Sequence, residues 1–346
     1  MAHTNTILVT RLSAMGDVAM TIPVMKQVLA DNPGLQIIFV TNKNWGALCA
    51  GIPGLTFHPA DVKGIHKGVP GLYRLFRELK KAYSITAVAD LHNVLRSKIL
   101  RTFFRLTGTP VAFIDKGRAE KKTLTRKEDK ILRQLTTTIE RYATVFRQLG
   151  LRCEMGNKPV FEPRKLPETA QEVLGSRNGK KWIGLAPFAT YQEKMYPLDK
   201  TEQVLGMLVQ DPGVEVLLMG GGKTEVEQLT AMAAKFPGAK VIAGRFSLPE
   251  ELSIISQLDV MISMDSANMH LASLFGVPVV SVWGATHPYA GFMGYGQREE
   301  LAVQVTDLGC RPCSVFGNKP CFRGDHACMQ WIQPAQITAK VKEVIS

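Results

Sequence analysis

The stretch Val260–Pro288, VMISMDSANMHLASLFGVPVVSVWGATHP, decides the fold. Val260 to Met264 is a short apolar run, the pattern of a strand buried on both faces. Asp265 and Ser266 are helix-capping residue types, so a helix is expected to start there. Gly276 and Pro278 stop it. Val277 to Trp283 then reads as a second buried strand. Strand, helix, strand with a polar first turn is the repeat of a doubly wound α/β sheet. A helix N-terminus at the carboxyl end of a parallel strand attracts anions through its free N–H groups and its dipole. Asp265, Ser266 and His270 would surround whatever anion binds. The same residues also suit a plain capped helix with an incidental histidine.

The alternation extends outward in both directions. Ile7 to Thr10 is strand-like, the turn Arg11–Val18 contains Gly16, and a helical pattern runs to Leu29. Leu35 to Thr41 and Ile85 to Leu91 are further strands, the latter ending in Asp90-Leu-His92-Asn93. Leu72 to Lys81 and Arg96 to Leu106 are basic amphipathic helices. Lys116 to Lys130 is charged without an apolar period and reads as a mobile loop. Prolines at 159, 163 and 167 mark a domain boundary. Beyond it Trp182–Ala186 and Glu215–Met219 are strands, Thr201–Val209, Glu225–Lys235 and Pro249–Leu258 are helices, and Gln333–Ile345 is a final helix. The expected domains are 1–160 for an acceptor, 161–332 for a nucleotide sugar, and a terminal helix, 333–346, returning to the first domain.

The 346 residues carry 42 Lys and Arg against 30 Asp and Glu. Residues 61–150 alone hold 20 basic and 8 acidic residues, so the entire surplus lies there. Such a region suits an anionic partner. No aromatic pattern interleaves with the charges, which argues against nucleic acid. An anionic glycolipid and the inner membrane surface are the expected partners. The absence of an 18-residue apolar run and of a secretory signal predicts a cytoplasmic, peripheral protein.

Two motifs mislead. Gly222-Lys223-Thr224 follows a strand, but a phosphate-binding P-loop needs glycine where Leu217 stands. The dinucleotide pattern G-x-G-x-x-G is absent, which weakens an oxidoreductase reading. Cys310, Cys313, Cys321 and Cys328 fall within 19 residues. The first pair has zinc spacing, so a structural zinc and a set of reduced, packed thiols are both open. Cys49 and Cys153 read as buried small hydrophobes.

Three segments together resemble the lipopolysaccharide heptosyltransferase family, glycosyltransferases with two Rossmann-like domains facing each other across a cleft (GT-B). They are Arg11-Leu-Ser-Ala-Met-Gly-Asp-Val18 with Pro23, Pro187 to Pro197 with Lys194, and Asp265-Ser-Ala-Asn-Met-His270 through Pro288. The resemblance implies transfer of a sugar, typically heptose, from an ADP-sugar to the lipopolysaccharide inner core, with inversion and without a metal. It makes Asp17 the general base, Lys194 the counter-charge of the diphosphate, and Asp265, Ser266 and His270 donor ligands. Glu225 or Glu227 would take the ribose. Ala267 departs from the family's usual glycine and narrows the approach of the phosphates.

The chemistry of the residues agrees. The leaving diphosphate needs its growing charge stabilised, and Thr190, Lys194 and the N–H groups from Ser266 through Ala267 to Asn268 can supply that. Arg11, Ser13, His92, Asn93, Arg96 and Lys98 are the candidate acceptor contacts. Two readings compete with these roles: Asp17 as a simple helix cap, and the whole protein as a non-catalytic binder of a sugar nucleotide or anionic glycolipid.

Overall fold

A computed structural model describes residues 5–346. The chain divides into two units, one spanning the described residues up to Gly117 together with Thr136–Asn157, the other Arg118–Leu135 together with Lys158–Ser346.

The first unit begins with β1 (Thr6–Thr10), α1 (Met15–Asp31), β2 (Gln36–Asn42), β3 (Leu55–Ala60), α2 (Gly68–Ala82), β4 (Ala87–Asp90), α3 (Leu95–Leu106) and β5 (Val111–Phe113). Next in the chain come α4 (Arg118–Thr125), which belongs to the second unit, and α5 (Thr138–Gln148), which returns to the first. Among the described residues, the sheet has the order β3-β2-β1-β4-β5, all parallel. Its central strand β1 is buried from Ile7 to Thr10, as its unbroken apolar run requires. Order reverses at β1, and β1 and β4 end side by side, with Thr10 paired to Asp90. Ligands of open α/β sheets bind at such a reversal. Leu8, Val40, Leu75, Leu79, Val88, Leu100 and Phe104 fill the core on one face.

The second unit contains α6 (Glu168–Leu174), β6 (Lys181–Ala186), α7 (Leu198–Leu208), β7 (Val214–Leu218), α8 (Lys223–Ala233), β8 (Ala239–Val241), α9 (Leu248–Ile255), β9 (Val260–Met264), α10 (Ala267–Leu274), β10 (Val279–Trp283), β11 (Ala302–Gln304), α11 (Ala327–Gln330) and α12 (Pro334–Ile345). Its parallel sheet runs β11-β10-β9-β6-β7-β8. Reversal falls between β9 and β6, next to the stretch that opened the sequence reading.

Three expectations are corrected. Residues 116–130 are not a loop throughout: α4 buries Lys121 and Leu124. Leu124 and Leu135 pack with Ala290, Lys121 Nζ lies 4.3 Å from the Phe292 ring, and Leu135 N–H donates to the Tyr289 carbonyl. This strap from 118 to 135 therefore belongs to the second unit rather than the first domain. A lysine stem packs over apolar surface while its charge meets a ring face, and a charge count alone hides that. Lastly, α12 buries Ile337 and Val341 in the second unit's core, where a return to the first domain was expected.

Candidate functional site

At the carboxyl ends of β1 and β4 the first unit gathers five sequence-selected residues, Arg11, Ser13, Asp17, His92 and Asn93. Asp17 is the third residue of α1, and its Oδ2 accepts from the Ala14 N–H at 3.2 Å. The helix starts at Met15, so Asp17 closes the first turn from inside; the competing reading makes it the N-cap of a helix beginning at Val18. The same oxygen lies 2.5 Å from Arg11 NH2. Arg11 is buried, donates to the Leu91 carbonyl at 3.0 Å, and lies over the Tyr142 ring at 5.9 Å. An ion pair this short favours the ionised carboxylate, the form a general base needs. Arg11 thus acts on Asp17.

His92 Nδ1 accepts the Leu12 N–H at 3.3 Å, and its Nε2 faces Ser13 Oγ at 3.4 Å. A backbone donor at Nδ1 assigns the proton of the neutral ring to Nε2. Burial, and then the charges of Arg11 and Lys116, push the His92 pKa down to about 3. The ring is therefore neutral near pH 7 and presents an N–H donor, not a base.

Asp90, missed in the sequence as a site residue, builds this corner. It is fully buried and its Oδ1 accepts the N–H groups of His92 and Asn93 at 2.9 and 2.8 Å. Arg101, also missed, meets Asp90 Oδ2 at 2.8 Å and Asn93 Oδ1 at 3.2 Å, with its guanidinium 3.9 Å from the Phe113 ring. Asn93 has φ +47°, a conformation asparagine tolerates better than most residues. Arg96 and Lys98 are exposed on α3 just after this loop.

Because the His92 ring is held neutral, acid should loosen this corner. The unfolded chain takes a proton near pH 6.5, the folded ring only near 3. Stability from this group is complete above 6.5 and falls as pH drops through the window to about 3. His92→Asn should flatten the decline of chemical-denaturation stability across that window. An unchanged pH slope would show that the ring is not held neutral.

In the second unit, α10 begins at Ala267 with Ser266 as N-cap in extended geometry. Ser266 Oγ meets Ser263 Oγ at 3.1 Å. The first-turn N–H groups of Ala267, Asn268 and Met269 have no acceptor within a helix by construction. Lys194, which ends a short 3₁₀ turn after β6, reaches Asp265 Oδ2 at 3.0 Å. Both side chains are largely buried. The Lys194 stem runs over Gly317, where an added Cβ would come within 2.3 Å of Lys194 Cγ. His270 is buried on α10, and Thr190 is exposed in the loop after β6.

The two candidate ribose ligands separate. Glu225 Oε2 accepts the Gly221 N–H at 2.7 Å and braces the glycine turn, whose Gly222 has φ +85°. Glu227 is exposed and lies 3.9 Å from Lys223. Glu225 is thus the one built into the turn.

Arg311, which carried no sequence signal beyond its cysteine neighbours, ties down the loop after β10. It is buried and donates to the carbonyls of Trp283, Gly284, Thr286 and Val305 and to Gln304 Oε1. A structural zinc was one of two open readings for the cysteines beside it. Among the described residues, no three His, Cys, Asp or Glu side chains are grouped to hold a metal ion. Cys310, Cys313, Cys321 and Cys328 are free, and Cys328 is buried. Burial lifts the Cys328 thiol to about 11 and raises that of Cys313. Lys130, from the strap, donates to the carbonyls of Gly309, Cys310 and Pro312 and so ties the strap to this segment. Cys49 and Cys153 are buried, as expected.

Comparison with known proteins decides the family. The description "Glycosyltransferase family 9 (heptosyltransferase)" matches residues 72–319. The chain belongs to glycosyltransferase family 9. Lipopolysaccharide heptosyltransferase 1 of Pseudomonas aeruginosa is 24% identical over 314 residues, which cover 89% of this transferase and 85% of that protein. Lipopolysaccharide heptosyltransferase 1 of Campylobacter coli is 24% identical over 98% of both chains. A family 9 glycosyl transferase from Veillonella parvula has the same fold, with TM-score 0.76, 19% identity, and coverage of 99% of this chain and 98% of that one. The E. coli heptosyltransferase WaaC with ADP superposes with TM-score 0.67 at 18% identity, covering 98% and 99%. These structures share the GT-B arrangement of two parallel-sheet α/β domains.

Proposed function

We propose that this transferase moves heptose from ADP-heptose to the inner core of lipopolysaccharide, with inversion at the anomeric carbon. One observation carries the reading within family 9: a half-buried lysine, Lys194, paired with the buried Asp265 where α10 presents its free N–H groups. That combination suits a diphosphate whose charge grows as the sugar leaves. Relatives matched by this chain are lipopolysaccharide heptosyltransferases, and related structures hold ADP or ADP-2-deoxy-2-fluoro heptose.

In this mechanism Lys194, Ser266 and the N–H groups of Ala267 and Asn268 hold the diphosphate, with Asp265 orienting Lys194. Glu225 takes the ribose through its outer oxygen, and Thr190 and His270 complete the donor site. Asp17 takes the proton from the acceptor hydroxyl as that oxygen attacks the anomeric carbon. Arg11 holds Asp17 ionised and aimed. His92, neutral, donates Nε2–H to an acceptor oxygen beside Ser13, and Asn93, Arg96 and Lys98 face the acceptor's anionic groups. The enzyme is read as working at the inner membrane surface, because 61–150 carries the whole positive surplus. Among the described residues no helix is long and apolar enough to cross a membrane.

Incubation with ADP-heptose and a heptose-deficient core acceptor tests the function. The acceptor should gain the mass of one heptosyl unit. Tight ADP binding without any gain would favour the non-catalytic binder.

A further inference from the structure

Helix α3 has two apolar faces where a surface helix of a globular domain needs one. Residues on a helix advance by about 100° each. Ser97, Leu100 and Phe104 share one side, and all three are buried against the first unit's core. Leu95, Ile99 and Leu106 share the opposite side. Leu95 is 74% exposed and Leu106 78%, although leucines at such positions cost free energy in water.

Phe103 at the edge of this outer stripe meets Tyr73 of α2 edge-to-face, with ring centroids 5.4 Å apart. Tyr73 and Val69, both exposed, carry the apolar surface onto α2. Exposed Arg96, Lys98 and Arg105 flank the stripe on α3, and Arg74, Arg77, Lys80 and Lys81 are exposed on α2. The acidic residues between 61 and 106 do not cancel this charge. Asp90 is buried against Arg101, Asp61 pairs with Lys43, and Glu78 faces His66.

We propose that the α2–α3 face docks on an anionic lipid surface. Leu95, Ile99 and Leu106 enter the boundary between headgroups and acyl chains, and the flanking arginines and lysines meet headgroup phosphates. An exposed apolar stripe rimmed by basic residues is what such an interface binds. The stripe is about 16 Å long, eleven helical steps. Since α3 follows directly on the His92–Asn93 loop, docking would hold the candidate acceptor residues at headgroup level. The assignment rests on the reading that the enzyme acts at a membrane surface, and names the element that touches it.

The full chain is tested by co-sedimentation with vesicles of phosphatidylglycerol and phosphatidylethanolamine, and with vesicles of phosphatidylcholine alone. The unaltered protein should bind the anionic vesicles, more weakly as salt rises, and bind phosphatidylcholine poorly. The double variant L95S/L106S should lose about ten- to a hundredfold in partitioning. It should still transfer sugar to a core oligosaccharide freed of its acyl chains, because both leucines lie on the surface. Equal binding by the variant overturns the proposal, as does salt-insensitive binding to both vesicle types. A dimer of the unaltered protein that the variant abolishes, without vesicle binding by either, would make the face a self-interface and also overturn it. Vesicle binding that depends on the leucines, in a protein that transfers no heptose, would sustain the docking face while the proposed function fails.

Discussion

Asp17→Asn is expected to lower the single-turnover rate of sugar transfer by about 10²–10⁴-fold, the usual contribution of a general base, while affinity for ADP stays within about twofold. A sugar hydroxyl attacks poorly unless its proton is removed as the new bond forms. Asparagine keeps an oxygen that can accept the Ala14 N–H, so the first turn of α1 survives. What it loses is the charge and the ion pair with Arg11 at 2.5 Å. Arg11 is buried and keeps its bond to the Leu91 carbonyl, so the variant should also melt at a lower temperature. The rate is therefore compared below the variant's own transition, with circular dichroism as the check on folding. A variant that turns over near-normally would reduce Asp17 to a structural residue of the helix start. A variant that loses rate and ADP affinity together would point to a collapsed corner instead of a missing base.

Lys194→Ala should have two separable effects. Nucleotide affinity should fall by about 1.5–3 kcal/mol, the range for hydrogen bonds to charged groups, or roughly 10- to 150-fold in Kd. The free protein should also lose stability, by up to about 3–5 kcal/mol, because Asp265 would remain buried without its partner. The double variant Lys194→Ala with Asp265→Asn distinguishes them. Removing the stranded charge should restore much of the stability but not the affinity. If calorimetry finds affinity restored along with stability, Lys194 serves only to neutralise Asp265, and the diphosphate assignment is wrong.

The parallel α/β architecture was legible wherever strands are buried on both faces. β9, α10 and β10 lie almost where the apolar runs, the capping Ser266 and Gly276 put them. β3, Leu-Thr-Phe-His-Pro-Ala, was invisible because it is an edge strand: its proline and polar residues are tolerated only there. α4 was hidden for another reason. Its charged residues look solvated in sequence, while the ring of Phe292, far along the chain, meets the buried Lys121. The site divides in the same way. Asp17, His92, Lys194 and Asp265 stand in local motifs at strand ends, so position and the family resemblance together suggested them. Asp90 and Arg101 become partners only when α3 folds back along β4. Arg311 becomes a loop anchor only when its segment wraps β10. Cysteine spacing left zinc and packed thiols both open, and it gave no sign that Arg311 and Lys130 pin this segment through backbone carbonyls.

The most direct test of the account is the product of a single turnover with ADP-heptose and a heptose-deficient core acceptor, run with and without chelator and read by mass and by anomeric NMR. The account predicts one heptosyl unit gained per ADP released, with the anomeric configuration inverted relative to the donor, at the same rate in the presence of chelator. A retained configuration, or ADP bound but never released with transfer, would contradict it.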